Sequence, residues 1–177
     1  GIKPWVRFGI SPFGIYRNAA TDYPEGSKTQ GTQCYNDLYA DILFWARSGW
    51  IDYVIPQLYW EIGHPVADYT MLVKWWNDNV PENCHLYIGQ SIERSLDGAK
   101  ETKPTPDLTK SHTHFSNKLN QAKEGNRIRG NCFWYGYQVL DNNYHVRDFL
   151  RKEVFTKTAL PPAFTNIDAV APEKVCN

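Results

Sequence analysis

Ile51-Asp-Tyr-Val-Ile-Pro-Gln-Leu-Tyr-Trp-Glu61 is the stretch that decides the fold of this chain. It is a short apolar run of β-forming residues that ends in an aromatic and acidic cluster, and an amphipathic helix follows it. The same order recurs along the chain, at Trp5–Ser11, Ile51–Trp60, His85–Gln90 and Ile128–Tyr137. Because strands that alternate with helices pack as parallel units, the sequence predicts an α/β fold of (β/α) units, half or part of a TIM-type (β/α)8 barrel.

Helix periodicity and turn residues complete this prediction. The pattern predicts helices over Asn36–Ser48, Ala67–Asn79, Leu108–Lys123 and Asn143–Phe155. The connections after strands are long, as in 13–33 and 91–107, whereas helices return to strands through short turns such as Gly49-Trp50. Long loops at the carboxyl ends of strands are typical of the catalytic face of barrel enzymes.

Length and charge exclude several classes of function. The 177 residues fit one domain, and 19 basic residues balance 19 acidic ones, so we expect no nucleic-acid partner. We find no apolar stretch near 18 residues and no signal-peptide pattern, and we expect no membrane insertion. The chain opens directly on strand-like sequence, which favours a fragment of a longer protein, and residues 159–177 are predicted to form an extended tail.

The aromatic content indicates the class of ligand. The chain has 7 Trp, 11 Tyr and 8 Phe, and several of them stand beside Gln, Glu or Arg in predicted strand-end loops. Sugar rings stack their C–H faces on aromatic side chains and offer hydroxyls to planar polar groups, so carbohydrate is the favoured partner. Protein interfaces are also rich in Trp and Tyr, and that alternative stays open.

The cysteine and histidine spacings predict neither a metal nor a cofactor. Cys34, Cys84, Cys132 and Cys176 show no CxxC or Cys/His ligand spacing, and free thiols or one disulfide both fit the pattern. No nucleophile elbow, phosphate loop or dinucleotide fingerprint is found.

Glu61 is the candidate catalytic residue. It directly follows a predicted strand, and aromatic neighbours would raise the pKa of its carboxyl group by desolvation, as a general acid needs. Alternatively it is a loop glutamate that pairs with Arg17, Arg94 or a sugar hydroxyl. A second carboxylate on the same face is weakly indicated, and we expect part of the catalytic site to be absent from the chain.

Further polar and aromatic residues near the predicted strand ends are candidates for substrate binding. They are Ser11, Arg17, Asn18, Gln57, Tyr59, Trp60, Gln90, Glu93 and Trp134. Neutral amides suit hydroxyl recognition, although they could equally satisfy loop backbone.

Four segments resemble the bacterial glycosyl hydrolase-like family 10 proteins. They are 3–18, which reads Lys-Pro-Trp-Val-Arg-Phe-Gly-Ile-Ser-Pro-Phe-Gly-Ile-Tyr-Arg-Asn, and the segments 34–41, 49–61 and 86–90. The resemblance implies a (β/α)8 glycosidase-like barrel, of which this chain is the C-terminal part, and an extracytoplasmic location. It also implies that earlier strands with a catalytic carboxylate precede Lys3.

The leading functional prediction is therefore an O-glycosyl hydrolase domain fragment that acts on or binds an oligo- or polysaccharide. The alternative is a half-barrel without turnover that binds carbohydrate or associates with itself. A homodimer, or the missing N-terminal half of the same barrel, would cover its open sheet edges.

Overall fold

The computed structural model describes residues 6–97 and 108–164. Within these residues the strands are β1 (Gly9–Ile10), β2 (Tyr53–Val54), β3 (His85–Ser91) and β4 (Ile128–Trp134). They form one sheet in the order β1-β2-β3-β4, and every neighbouring pair is parallel. Sequential parallel strands joined by helices are the repeating unit of a barrel wall, so the fold is an α/β partial barrel, as the sequence predicts.

One or two helices follow each strand in chain order. They are α1 (Cys34–Leu38), α2 (Ile42–Arg47), α3 (Tyr69–Asn79), α4 (Ile92–Asp97), α5 (Leu108–Glu124), α6 (Gly136–Leu140) and α7 (Val146–Phe149). A 3₁₀ turn, Asn143–His145, precedes α7, and a π turn, Leu150–Val154, follows it.

The predicted helix over Asn36–Ser48 is wrong as a single element. Tyr39 adopts a left-handed conformation with φ 53° and ends α1, and Asp41 then starts α2 by accepting a hydrogen bond from the Phe44 amide at 3.0 Å. The Asp41 carboxylate also accepts from the Tyr16 hydroxyl at 2.7 Å. These two contacts fix a new helix start in the middle of the predicted one. Gly49 has φ 68° just after α2, as its predicted position after a helix requires.

Two other predicted segments differ in the structure. The polar loop predicted from Ser91 onward begins with α4, and residues 98–107 of that loop lie outside the described residues. The predicted final helix, Asn143–Phe155, is interrupted because Asn142, Tyr144 and His145 have φ between 53° and 57°. The fourth strand ends at Trp134, three residues before its predicted end. The first and second strands are also shorter than predicted, and Trp5 lies outside the described residues.

The core lies on one face of the sheet. The side chains of Leu86 and Ile88 on β3 are fully buried beneath the helices. They belong to the same cluster as the apolar stripe of α3, which is Tyr69, Leu72, Val73 and Trp76. A second cluster joins α4, α5 and α7 around Phe115.

The opposite face of the sheet is concave and carries Tyr53 and Tyr87, whose rings meet edge to face at 6.1 Å between centroids. Phe164 reaches this face and stacks on His85 at 3.9 Å. Residues 159–164 are extended without helix or strand, and 165–177 lie outside the described residues, so the extended tail over 159–177 stays a prediction.

Candidate active site

The carboxyl ends of β1 and β2 bring Ser11 and Gln57 together. Beyond Val54 the second strand continues as single bridges, in which Gln57 pairs with Phe13 on one side and with Gly89 on the other. The Gln57 side-chain amide donates to the Ser11 carbonyl at 3.0 Å, and the Ser11 hydroxyl donates to the Ile55 carbonyl at 2.9 Å. Since carboxyl ends of parallel strands meet at one edge, these two residues mark the mouth of the partial barrel.

Tyr59 lies where three strand-end loops converge. Burial raises the pKa of its phenol, and Cys132 and Tyr135 near it raise the pKa further, while Arg94 lowers it. Cys132 and Tyr135 come from the end of β4, whereas Arg94 comes from α4, directly after β3. Tyr59 therefore faces groups from the carboxyl ends of β3 and β4, the next two strands of the sheet.

An exposed row of aromatic side chains, Trp134, Tyr135 and Tyr137, follows the end of β4; we call it the aromatic ribbon. Ring centroids of Trp134 and Tyr135 are 4.4 Å apart, and those of Tyr135 and Tyr137 are 5.4 Å apart, with planes inclined by 34° and 31°. The three residues are 51%, 37% and 49% exposed. Such a row offers solvent-facing apolar surfaces with polar edges beside the mouth.

Glu61 is presented by a loop whose backbone is fixed. Its carbonyl accepts hydrogen bonds from the His64 and Tyr69 amides, both at 3.2 Å. Asp68 caps α3 through the Met71 amide at 3.0 Å and also accepts from the Gly63 amide at 2.5 Å. The Glu61 side chain itself is exposed, and within 6–97 and 108–164 its carboxylate has no hydrogen bond or ion pair. The predicted role of Glu61 as a catalytic residue stays a prediction.

Lys118 is the charged group that sequence reasoning missed. It lies on α5, is 0% exposed, and its ammonium is 3.4 Å from both the Leu58 carbonyl and the Ser95 hydroxyl. Burial lowers the pKa of Lys118 to about 7; Glu61 raises it and Arg94 lowers it. The sequence does contain a sign of this buried charge. Lys118 falls on the apolar stripe of Phe115, Leu119 and Ala122, where only apolar side chains are expected.

His114 lies one helical turn before Lys118. Burial lowers the pKa of its imidazole, Lys118 lowers it further and Glu61 raises it. Its Nε2 atom is buried without a hydrogen-bond partner among the described residues. The charge of Glu61 therefore acts on both His114 and Lys118.

Gln90 is not at the mouth. It is fully buried on the helix side of the sheet, where its amide nitrogen donates to the Tyr69 hydroxyl at 2.6 Å and to Asn131 at 2.9 Å. The prediction placed it with Ser11 and Gln57, but the strand pleat turns its side chain to the opposite face.

Arg17 and Asn18 stabilise the long loop after β1. The Arg17 guanidinium pairs with Asp22 at 3.0 Å and lies 4.2 Å from the Tyr23 ring centroid. The Asn18 side chain accepts from the Thr29 hydroxyl at 2.7 Å and donates to the Gly31 carbonyl. No described contact joins either residue to Gln57, Tyr59 or Trp134, and their predicted role in sugar binding stays a prediction.

Trp60 follows β2 along the chain, and Glu93 follows β3. Trp60 packs against the main core, and its ring approaches Gly14 so closely that an added Cβ there would lie 2.6 Å from it. Glu93 is half-buried in the first turn of α4. The substrate contacts predicted for Trp60 and Glu93 stay predictions.

Within the part of the chain that the structure describes, no cluster of three His, Cys, Asp or Glu side chains is arranged to hold a metal ion. Cys34, Cys84 and Cys132 are free thiols there, and Cys176 lies outside the described residues. No described helix is both long and apolar enough to cross a bilayer.

Comparison with known proteins gives consistent relatives. Residues 1–105 match the family described as glycosyl hydrolase-like 10. The chain is 36% identical over 174 residues to glycosyl hydrolase YngK of Bacillus subtilis (strain 168), which covers 97% of this chain and 33% of that protein. It is 47% identical over 89 residues to glycosyl hydrolase DigH of Escherichia coli (strain K12), covering 50% of this chain and 20% of that protein.

The chain therefore spans a third or less of the length of these relatives. The match to YngK extends over nearly the whole chain, and the family match covers more than half of it. On these grounds the chain belongs to the glycosyl hydrolase-like 10 family.

Proposed function

We propose that this chain forms one side of the active-site cleft of an O-glycosyl hydrolase that acts on an oligo- or polysaccharide. The observation that carries the proposal is the meeting of Gln57, Tyr59 and the aromatic ribbon at the carboxyl edge of the parallel sheet. Aromatic faces stack on sugar rings, and amide and phenol groups bind sugar hydroxyls. The family and the names of its relatives support the same class of reaction.

Glu61 is the proposed catalytic carboxyl group. Its loop follows β2, its backbone is held by Tyr69 and His64, and its side chain is open to solvent and hence to a ligand. Hydrolysis of a glycosidic bond normally uses two carboxyl groups, about 5–9 Å apart. We place the second one on another strand of the complete barrel, outside this chain.

The test is turnover of a panel of oligosaccharides and aryl glycosides by the full-length protein that contains this chain. Glu61→Gln is expected to lower kcat by about 10²-fold or more, because a neutral amide cannot exchange a proton or carry the charge. Glu124→Gln, an exposed change at the end of α5, is the matched control and should retain wild-type turnover.

A paired substitution separates binding from chemistry. Trp134→Ala removes the first ring of the aromatic ribbon and is expected to weaken oligosaccharide binding about tenfold, or about 1.4 kcal/mol. Trp50→Ala removes another exposed indole, just before β2 and so at the amino-terminal edge of the sheet, and should leave binding unchanged. Tight binding without any product from the wild-type protein would replace the hydrolase with a carbohydrate-binding module.

A further inference from the structure

The end of the second strand at the mouth is held by single contacts and not by a regular ladder. Regular pairing of β2 stops at Val54. Beyond it, the Gln57 amide donates to the Pro12 carbonyl at 3.0 Å, and the Leu58 amide donates to the Gly89 carbonyl at 3.0 Å. These two amides are therefore paired, one on the side of β1 and the other with β3.

The Leu58 carbonyl differs from its amide, because its partner is a side chain. Leu58 is 0% exposed, and its carbonyl accepts a hydrogen bond from the Lys118 ammonium on α5 at 3.4 Å. Among the residues that the structure describes, no backbone amide donates to this carbonyl. A buried carbonyl without a hydrogen bond costs free energy. The ammonium thus supplies the bond that the interrupted strand does not provide.

The other contacts of Lys118 fix the position of its ammonium. The ammonium lies 3.4 Å from the Ser95 hydroxyl on α4 and 4.5 Å from the centroid of the Tyr69 ring on α3. The Tyr69 hydroxyl also donates to the Lys118 carbonyl at 3.0 Å. Because these contacts come from two further helices, the ammonium is held in a defined place behind the Leu58 carbonyl.

The same buried group of polar side chains extends to the next two strands. The Gln90 amide nitrogen on β3 donates to the Tyr69 hydroxyl at 2.6 Å and to the Asn131 side chain on β4 at 2.9 Å. Lys118, Tyr69 and Gln90 therefore connect the carboxyl-terminal parts of β2, β3 and β4 on the helix side of the sheet. A buried network whose members are hydrogen-bonded makes the local structure rigid.

We propose that Lys118 is a positioning residue of the mouth: it holds the peptide group between Leu58 and Tyr59, and through that group it places the Tyr59 side chain against a bound sugar. The proposal rests on the proposed glycoside hydrolase function and deepens it. It assigns a determinant of sugar binding to a side chain that is itself 0% exposed.

Loss of Lys118 is expected to weaken sugar binding more than it slows the reaction. Glu61, the proposed catalytic residue, has supports of its own, because its carbonyl accepts hydrogen bonds from the His64 and Tyr69 amides at 3.2 Å. Tyr59 lies next to the Leu58 carbonyl in the chain, so it is the side chain of the mouth that the contact with Lys118 affects most directly.

The first experiment measures oligosaccharide binding and turnover by the full-length protein that contains this chain. Lys118→Met removes the donor and keeps an unbranched side chain; it should weaken binding about tenfold and change kcat by no more than about twofold. Lys123→Met, an exposed change on the same helix, should alter neither quantity. Unchanged binding by Lys118→Met, or a loss confined to kcat, would overturn the proposal.

A double-mutant cycle tests whether Lys118 acts through Tyr59. Tyr59→Ala removes the ring that Lys118 is proposed to place. The loss of affinity in the double variant should then be clearly smaller than the product of the two single losses, since the second substitution disturbs a contact that is already gone. Losses that multiply would show that Lys118 acts on binding elsewhere, or only through general stability, and would contradict the proposal.

The second experiment detects the contact in the wild-type protein. Burial lowers the pKa of Lys118 to about 7, so its charge-assisted hydrogen bond to Leu58 weakens between pH 5 and 9. With ¹³C at leucine carbonyls and ¹⁵N at tyrosine amides, the Leu58–Tyr59 peptide signal should move with the midpoint of the Lys118 side-chain signal. The Leu38–Tyr39 peptide signal appears in the same spectrum and should not move with it.

Other charged groups near Lys118 can be told apart in this titration. Glu61 raises the pKa of Lys118 and Arg94 lowers it, which shifts the common midpoint without separating the two signals. Burial lowers the pKa of His114 below its usual value of 6.5, so its own midpoint differs from that of Lys118. A Leu58–Tyr59 peptide signal that does not follow the Lys118 titration would overturn the proposal.

Failure of the proposed function and failure of this proposal give different results. If the wild-type protein binds and turns over none of the sugars, the hydrolase function is wrong, whereas the peptide titration still decides whether Lys118 holds the end of the strand. If Lys118→Met does not fold, the titration of the wild-type protein decides in its place.

Discussion

At the scale of single residues, the most informative side chain is one that lowers the stability of the fold. Lys118 is fully buried and meets only neutral groups at contact distance among the described residues. A folded state that disfavours the charged form binds its proton less tightly than the unfolded chain does. The free energy of unfolding must then depend on pH in a way that a neutral side chain would not show.

This linkage gives a prediction with a definite sign. The folded-state pKa of Lys118 is about 7, below its unfolded value near 10.4. Below pH 7 the folded and unfolded states both carry the charge, so the cost of burying it lowers the stability of the fold in full. As the pH rises from 7 to 10, the folded state loses its proton before the unfolded state does, and the free energy of unfolding increases. The wild-type chain should therefore gain about 2–4 kcal/mol relative to Lys118→Met over that range, measured by urea unfolding. The stability of Lys123→Met should depend on pH as that of the wild type does. If the stability of Lys118→Met changes with pH in parallel with the wild type, the lowered pKa of Lys118 is contradicted.

Residue identities also explain which parts of the site the sequence could predict. Ser11 and Gln57 meet beyond the ends of β1 and β2, where their positions after apolar runs place them, because carboxyl ends of parallel strands share an edge. The role of Glu61 stays a prediction. Gln90 follows the same rule and still faces the helices, since one step along the pleat reverses the side chain. The register of β3 against β4, which shifts at Leu86/Tyr87, is a property of the packed sheet and not of either segment.

At the scale of elements, helix existence was predictable and helix continuity was not. The stripe of α3 and the length of α5 follow from periodicity, because their apolar faces are long enough to be distinctive. The break between α1 and α2 depends on Tyr39 adopting φ 53° and on the contact between Tyr16 and Asp41, 25 residues apart in sequence. The conformational preferences of the local sequence predict neither the φ angle of Tyr39 nor the contact between Tyr16 and Asp41.

The start of α3 carries a prediction that also concerns the mouth. Asp68 accepts from the Met71 amide and from the Gly63 amide, so one carboxylate both caps the helix and anchors the loop that presents Glu61. Asp68→Ala should lower the free energy of unfolding by about 1 kcal/mol and mobilise the loop, as lost caps do. Asp68→Asn keeps a hydrogen-bond acceptor and should lower the free energy of unfolding by only a few tenths of a kcal/mol. Equal losses in the two variants, by thermal or urea unfolding, would assign the effect to charge and not to capping.

At the scale of the whole molecule, the two faces of the sheet have different partners. The helices cover one face with two core clusters, while the concave face of the described sheet meets the extended segment 159–164. Arg7 lies on the same face, with its guanidinium 4.8 Å from the Phe164 ring centroid and paired with Asp52 at 2.8 Å. A space of about 290 Å³ remains there, bounded by Tyr53, Tyr87, Cys132 and Phe164. The sequence predicts an extended tail but not this contact, because no periodic pattern marks where a single phenylalanine docks.

The Phe164 contact can be tested through the histidine beneath it. Burial lowers the pKa of His85, and Arg129 and Arg7 lower it further, while Asp52 raises it. Phe164→Ala uncovers the imidazole on the side where the two rings stack at 3.9 Å, so the pKa of His85 should rise toward 6.5, as followed by NMR. Leu160→Ala changes an exposed side chain of the same segment and should leave the His85 titration unchanged.

The same contact predicts how stability depends on pH. Acid lowers the stability of the wild-type chain below about pH 6.5, because the folded state resists protonation of His85. Phe164→Ala should reduce that acid-dependent loss. A His85 titration that is the same in all three proteins would show that the segment ending at Phe164 does not cover the concave face in solution.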